Sequence, residues 1–279
     1  SNPYDFYPGK DIVLPYQRIN LKRYPLIAIK TSWGCPYNCT FCDAHPILNK
    51  KLRYKNLGGV LKELRLIKRL TRGKKLSIEI LDEAFMENRA RVIEFCNLLK
   101  YNKLNIKWSC FGRVNRIDEK LVKTMARSGC EGIFFGIDAG SNRILKTIKK
   151  GFTIEEAIKK VILSKKSIKN IHASFIFRYP FETYGDFMGT LYTMSYLRSK
   201  GIHCILHPLA PIKGTKIYAR HKEKICFSVN APCENEDLRN LPGKFITLLK
   251  ENPEIFYDYY YYDCRDLPRM MKTISNLKA

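Results

Sequence analysis

Cys35, Cys39 and Cys42 stand in one short stretch with the spacing C-x3-C-x2-C. Thiolates are soft donors that select iron–sulfur clusters, zinc or Cu(I) over hard cations. A structural zinc site couples such a pair to a second ligand pair further on, and no second C-x2-C follows here. A disulfide with a spare thiol would suit a secreted protein, and the chain opens on no leader-like apolar run. A [4Fe–4S] cluster takes four thiolates, so three alone would leave one iron open to a small ligand. A three-cysteine cluster site is therefore the reading that these residues favour.

Such a loop needs a rigid element to deliver it. Pro25 to Ser32 is short and apolar and reads as a buried strand ending at the cysteines. Further strands are expected at Ser77–Leu81, Ile106–Cys110, Gly132–Ile137, Ile171–Phe177 and Cys204–His207. Between them, apolar residues recur at helical spacing over Leu57–Leu70, Asn88–Leu99, Glu119–Ser128, Ile154–Lys165 and Asp186–Lys200. Gly73 and Gly129 read as helix stops, Asp118 as a cap, and Thr153 with Glu156 as a capping box. Alternating strands and helices imply parallel β/α units. Six of them predict an α/β fold, a partial (β/α)6 TIM-type barrel, with chemistry at the carboxyl ends of the strands. The pattern assigns 1–24 to a linker, 25–218 to the barrel and 219–279 to a helical or irregular C-terminal extension.

Composition narrows the function classes. The 279 residues are 45% apolar, enough for one large domain or two smaller ones. No run approaches a membrane span. Lys and Arg number 50 against 26 Asp and Glu, a net charge of +24. The basic residues are dispersed, and no RNA-binding module is recognisable, so nucleic-acid binding is not expected. Ten cysteines without a leader predict a reducing cytoplasm. Cys96, Cys110 and Cys130 fall in apolar patterns and are expected in the core. His45 reads as structural, and Cys226, Cys233 and Cys264 do not match an auxiliary-cluster spacing.

Around the cysteines, with Phe41 before the last of them, the chain resembles the radical S-adenosylmethionine (SAM) enzymes. The likeness extends to about Tyr218 and is strongest to the branch often fused to a cobalamin-binding domain. It implies a [4Fe–4S] cluster on Cys35, Cys39 and Cys42, whose open iron chelates SAM, with reductive cleavage to a 5'-deoxyadenosyl radical. Asn2 to Arg23 resembles the connector from a cobalamin domain, which would lie upstream of this chain. Asp82-Glu83, directly after the second strand, resembles the acidic motif that receives the SAM ammonium group; a solvated helix cap is the alternative. Trp108 to Asp118 resembles the third-strand segment, with Arg113 a candidate for the SAM carboxylate. Gly136-Ile137-Asp138-Ala139-Gly140-Ser141 resembles the fourth-strand motif, with Asp138 one methylene shorter than the usual Glu and aimed at ribose hydroxyls. Phe175 to Thr183 resembles the fifth-strand motif, with Arg178 and Phe181 in place of two glycines. Ile176 is the candidate beside adenine, and Arg178 a candidate for a carboxylate.

The resemblance thus predicts a cobalamin-associated radical SAM enzyme that methylates or rearranges an unactivated carbon. It implies a small-molecule or peptide substrate, a flavodoxin- or ferredoxin-type electron donor, and cobalamin from a domain not in this chain. The alternatives are cobalamin-independent modification of a ribosomal peptide such as epimerisation, tRNA modification, and a non-catalytic scaffold with a vestigial loop.

Overall fold

The computed structural model describes residues 14–44, 51–71, 77–227 and 242–278. Residues 2–13 of the connector, His45, Gly73 and Cys233, all singled out above, lie outside them. β1 (Ile27–Ile29) leads into β2 (Ser32–Trp33), which pairs antiparallel with β3 (Arg53–Tyr54). α1 (Leu57–Leu70) follows, capped by Asn56, whose side chain accepts from the Gly58 amide at 2.7 Å. Then β4 (Ser77–Ile80), α2 (Arg89–Tyr101), β5 (Lys107–Gly112), α3 (Glu119–Arg127) and β6 (Cys130–Asp138) alternate. The short α4 (Asn142–Thr147) precedes α5 (Ile154–Lys165), β7 (Asn170–Phe177), α6 (Tyr184–Ser199) and β8 (His203–Pro208). The helix bounds expected for α1 and α5 are met, and most other elements shift by one or two residues. The first strand is broken into β1 and β2, and α4 is an addition. Thr153 accepts from the Glu156 amide at 3.3 Å, while the reciprocal capping box forms at α6 between Thr183 and Asp186.

β1, β4, β5, β6, β7 and β8 form one sheet in that order, each neighbouring pair parallel. This is the partial (β/α)6 barrel. Parallel strands covered on both faces read as continuous apolar runs. These strands alternate instead: Ile78 and Ile80 are buried and Ser77 and Glu79 half-buried, and in β5 Trp108 and Cys110 are buried between less covered neighbours. The apolar side is sealed by the helices. The other side faces a concave lumen that the incomplete barrel leaves open. Cys96, Cys110 and Cys130 are core residues.

Beyond the barrel lie α7 (Lys216–His221), β9 (Ile225–Phe227), α8 (Gly243–Glu251), β10 (Tyr260–Tyr262) and α9 (Leu267–Lys278). β9 and β10 pair antiparallel, a small sheet the sequence pattern did not announce. A second apolar cluster of Phe177, Phe187, Cys264, Leu267 and Met270 fastens this extension to β7 and α6. No helix of the described residues is long and apolar enough to cross a membrane.

The segment from Leu14 to Arg23 turns through two 3-10 elements, Tyr16–Arg18 and Leu21–Arg23, rather than running extended. Apolar burial drives this: Tyr16 and Leu21 are 4% and 3% exposed in the main core. The Tyr16 hydroxyl donates to Glu63 Oε1 at 2.7 Å, and Lys55 Nζ lies 2.6 Å from Glu63 Oε2. Removing one partner of a buried ion pair leaves an uncompensated charge. Glu63→Ala is therefore expected to lower unfolding free energy in urea by roughly 3–5 kcal/mol. Tyr16→Phe, which loses one hydroxyl contact, should cost roughly 1 kcal/mol. Equal losses would mean that the Lys55 charge finds water without Glu63.

Candidate active site

The carboxyl ends of the strands open into a cavity of about 490 Å³. Gly34, at φ 90°, turns the chain out of β2 into the cysteine loop, a conformation glycine adopts without steric cost. The loop is held from both sides. The Thr40 amide donates to Ile148 O at 3.1 Å, and the Ile217 amide donates to Thr40 O at 2.9 Å. Cys35, Cys39 and Cys42 are free thiols, all half-buried, and all line the cavity. Burial pushes the Cys35 thiol up and lifts Cys42 to about 11.

Among the described residues, no three Cys, His, Asp or Glu side chains gather at the spacing of one metal ion. That holds for His203 and His207 of β8 as well, despite their H-x3-H spacing. Three thiols on one cavity are the donor set of an iron–sulfur cluster that leaves one iron open.

The acidic pair after β4 divides. Asp82 is 1% exposed, and both of its oxygens are engaged. Oδ1 accepts from the Thr31 amide, and Oδ2 from the Thr31 and Ser32 hydroxyls, each at 2.6 Å. Glu83 pairs with Lys30 through Oε1. Its Oε2 is buried and has no hydrogen-bond partner among the described residues. Both residues line the cavity, but only Glu83 offers it a vacant acceptor.

Arg113 follows β5 and crosses the cavity. Its guanidinium lies 3.7 Å above the Tyr37 ring and 5.4 Å from that of Phe152. Nη1 is 3.7 Å from Cys39 Sγ, and Nε is buried without a hydrogen-bond partner among the described residues. Tyr37 is fixed in turn, its hydroxyl accepting from Arg116 Nε at 2.6 Å. At the end of β6, Asp138 takes φ 73° and lies 2.5 Å from Lys150 Nζ, both side chains 7% exposed. Lys150 also lines the cavity, near the rings of Phe41 and Phe152. The sequence reading missed it. Its one signal was the Lys-Lys-Gly turn after α4, hidden in a chain with 50 basic residues.

Phe41 lines the cavity and packs edge-on against Tyr179, 6.3 Å between ring centres. Ile176 and Arg178, expected near adenine and a carboxylate, do not line it. Ile176 packs on the core. Arg178 is 2% exposed with φ 69°, and its guanidinium lies 4.3 Å over the Tyr261 ring of β10. From β7 the cavity receives Ser174 instead.

The radical SAM superfamily model matches residues 29–193. An uncharacterized methyltransferase of Pyrococcus horikoshii is 35% identical over 184 residues, which cover 66% of this chain and 39% of that protein. The bacteriochlorophyllide d C-12(1)-methyltransferase of Chlorobaculum tepidum is 28% identical over 210 residues, covering 73% of this chain and 44% of that one. The chain thus spans well under two thirds of these relatives. Among solved structures, the radical SAM methyltransferase TsrM of Kitasatospora setae, with tryptophan and a SAM analogue bound, superposes with a TM-score of 0.68. That match is 15% identical and covers 90% of this chain and 51% of that one. It is a likeness of fold.

Glu182 closes the turn after β7. Its Oε2 accepts from the Arg178 and Tyr179 amides at 2.6 and 3.2 Å. Burial raises this carboxyl to about 8 against the two amide contacts, which lower it. A carboxyl whose pKa is raised by folding contributes stability that is full below its unfolded value and lost as pH climbs through the folded one. Between the ordinary carboxylate range and about pH 8, the native protein should therefore lose stability at this site as pH rises. Glu182→Gln should flatten the pH dependence of the unfolding free energy there, the slopes differing by close to one proton. Parallel wild-type and variant profiles would mean that Glu182 is ionised in the native turn.

Proposed function

The chain belongs to the radical SAM superfamily, and we propose that it is the catalytic core of a cobalamin-associated methyltransferase acting on an unactivated carbon. One observation carries the reading. Three free thiols share a cavity with a buried carboxylate oxygen and a buried guanidinium nitrogen that have no hydrogen-bond partner among the described residues. Buried polar groups are ordinarily satisfied, so Glu83 Oε2 and Arg113 Nε call for a ligand with both a cation and an anion. The methionyl end of SAM has both.

Cys35, Cys39 and Cys42 would hold a [4Fe–4S] cluster, and Glu83 would accept from the SAM ammonium. Arg113 would face its carboxylate, with the guanidinium plane already set by the Tyr37 ring. Asp138, aligned by Lys150, would meet ribose hydroxyls, and Phe41 would wall the adenosyl end. Asp82 would act behind them as the brace of the loop. When bound there and reduced by one electron, such a cluster would supply the electron for reductive cleavage of SAM to a 5'-deoxyadenosyl radical. Methylation and the cobalamin requirement are inferred from the names of the relatives and of the structural neighbours. Cobalamin would come from a domain outside this chain, and the substrate would be a small molecule or peptide.

Anaerobic reconstitution should load about four irons per chain, and Cys35→Ala/Cys39→Ala/Cys42→Ala should abolish the loading. Cluster absorbance retained by that variant would sink the assignment. Glu83→Ala should keep the iron and weaken SAM binding roughly 10–100-fold, the value of a hydrogen bond to a charged group. Asp82→Ala should instead lower thermal stability and iron loading together. SAM affinity untouched by Glu83→Ala would move the ammonium contact elsewhere.

A further inference from the structure

A second cavity of about 330 Å³ lies in the barrel lumen, toward the amino ends of the strands. Phe134 lines both this cavity and the candidate active site, so one ring is the wall they share. Four strands place aromatic rings side by side at this level. Phe111 of β5 is in register with Phe134 of β6, Phe134 with His172 of β7, and His172 with His203 of β8. Ring centres along the row are 5.4, 6.3 and 5.1 Å apart, and Phe134 and His172 are stacked. Cross-strand aromatic pairs stabilise a sheet by themselves, so the row alone argues little. Its exposure argues more. Phe111 lines the upper cavity and is 37% exposed, and Phe134 is half-buried. Large apolar rings left open inside a cavity are the ordinary lining of a small-molecule site.

The floor below the row is polar. Two residues along a strand span roughly 6–7 Å, and that far below Phe111 stands Ser109, in register with Glu79 of β4. Glu79 and Ser109 both line the lower cavity. Lys107 and Glu131 line it too and form an ion pair with each other. Glu79 is half-buried and has no ion pair or side-chain hydrogen bond among the described residues. The two histidines do not neutralise it. Their Nδ1 atoms lie 3.3 Å apart, a hydrogen bond that one ring accepts in its neutral form. Burial, followed by the neighbouring His203 ring, pushes the His172 pKa below its ordinary value. The lumen therefore carries one unmatched carboxylate at its floor, an aromatic row above it, and the candidate active site above that.

We propose that the lumen takes a flat aromatic amine as substrate, its ring on Phe111 and Phe134 and its ammonium group on Glu79. The inference rests on the reading of the upper cavity as a SAM site, since that reading makes the lumen ligand a substrate. An ammonium group supplies the donors that Glu79 lacks and cancels its charge. A carboxylate in its place would meet Glu79 and Glu131 together. The ring would rest on the phenylalanine pair through offset or edge contacts, the arrangement that aromatic quadrupoles favour. Anchored at the floor, it would present its far edge to the strand ends, where the thiols, Glu83 and Arg113 line the upper cavity.

The test is calorimetric titration of the anaerobically reconstituted protein with naphthylethylamine, naphthylacetate and cyclohexylethylamine. Naphthylethylamine should bind. Naphthylacetate should bind at least about tenfold more weakly for its charge, and cyclohexylethylamine roughly 2–10-fold more weakly for its missing π face. Glu79→Gln, which keeps the shape of the side chain, should weaken naphthylethylamine about 10–100-fold. Phe134→Leu, which keeps an apolar side chain, should weaken it roughly 2–10-fold. Circular dichroism and iron content equal to wild type certify the fold of both variants. Glu83→Ala separates the two open carboxylates. Affinity lost in Glu83→Ala and kept in Glu79→Gln would overturn the proposal. So would equal affinities for the amine and the acetate, or no binding of the amine at millimolar concentration. Protein that binds naphthylethylamine through Glu79 and loads iron, yet cleaves no SAM with dithionite, would uphold the amine pocket and overturn the reading of the upper cavity.

Discussion

The site hangs on one buried carboxylate. Asp82 reaches from the end of β4 to the end of β1 and takes three hydrogen bonds from Thr31 and Ser32. Parallel strands have no hairpin to tie their ends, so their carboxyl termini must be fastened by side chains or by packing. Here the fastening occurs where it matters most. Cys35, the first thiol of the loop, stands three residues after Ser32, and Glu83 is the next residue after Asp82. The brace therefore sets the separation between the thiols and the open oxygen of Glu83. A carboxyl group accepting three short hydrogen bonds needs no cation beside it. That leaves Lys30 for Glu83 and keeps the neighbouring charges available to the cavity.

Those charges are arranged so that each is half-compensated. Glu83 meets Lys30 through one oxygen, Asp138 meets Lys150, and Arg113 rests on the Tyr37 ring. Buried ions without partners are strongly disfavoured, and fully paired ones have nothing left for a ligand. The pairing of only one carboxylate oxygen, and of a guanidinium through its face and one Nη with Nε left open, lies between these limits. It also fixes orientation before any ligand arrives, because Tyr37 and Arg116 hold the platform on which Arg113 lies. Preorganised dipoles and charges of this sort cost no rearrangement when a charged ligand enters.

Much of this architecture was legible in the sequence, and the reasons are local. Strands such as β4 and β5 alternate because one face meets helices and the other an open lumen, so period and type survive in a short window. The three cysteines and the acidic pair are close in sequence and close in space. What escaped was set by distant partners. Arg178 is turned from the cavity by Tyr261, far along the chain. Tyr16 and Leu21 leave no periodic trace, yet the core takes them in because Glu63 and α1 offer a seat. Lys150 was lost in the abundance of its own kind. The separate fates of Asp82 and Glu83 depend on which way two adjacent side chains point, and residue type does not encode that.

Arg178 and Phe181 stand where the fifth-strand motif that this turn resembles has glycine, and in the structure both side chains find partners outside the cavity. Glycine at such turns lets the backbone come close to a ligand and take positive φ freely. Arg178 keeps the left-handed backbone at φ 69°, which costs a side-chain-bearing residue about 1–2 kcal/mol. Its guanidinium stacks on Tyr261 in a desolvated setting, where a cation–π contact contributes about 2 kcal/mol. The two magnitudes are close, so the substitution is sustained only while β10 lies over β7. Phe181 stacks on Tyr179 and leans on His221 of α7, each with ring centres 5.7 Å apart. Both side chains thus point at the C-terminal extension and not into the cavity. The turn has exchanged an open backbone surface for contacts to β10 and α7. α7 also holds Thr40 in the cysteine loop. Through these two residues the extension becomes part of the frame that positions the thiols.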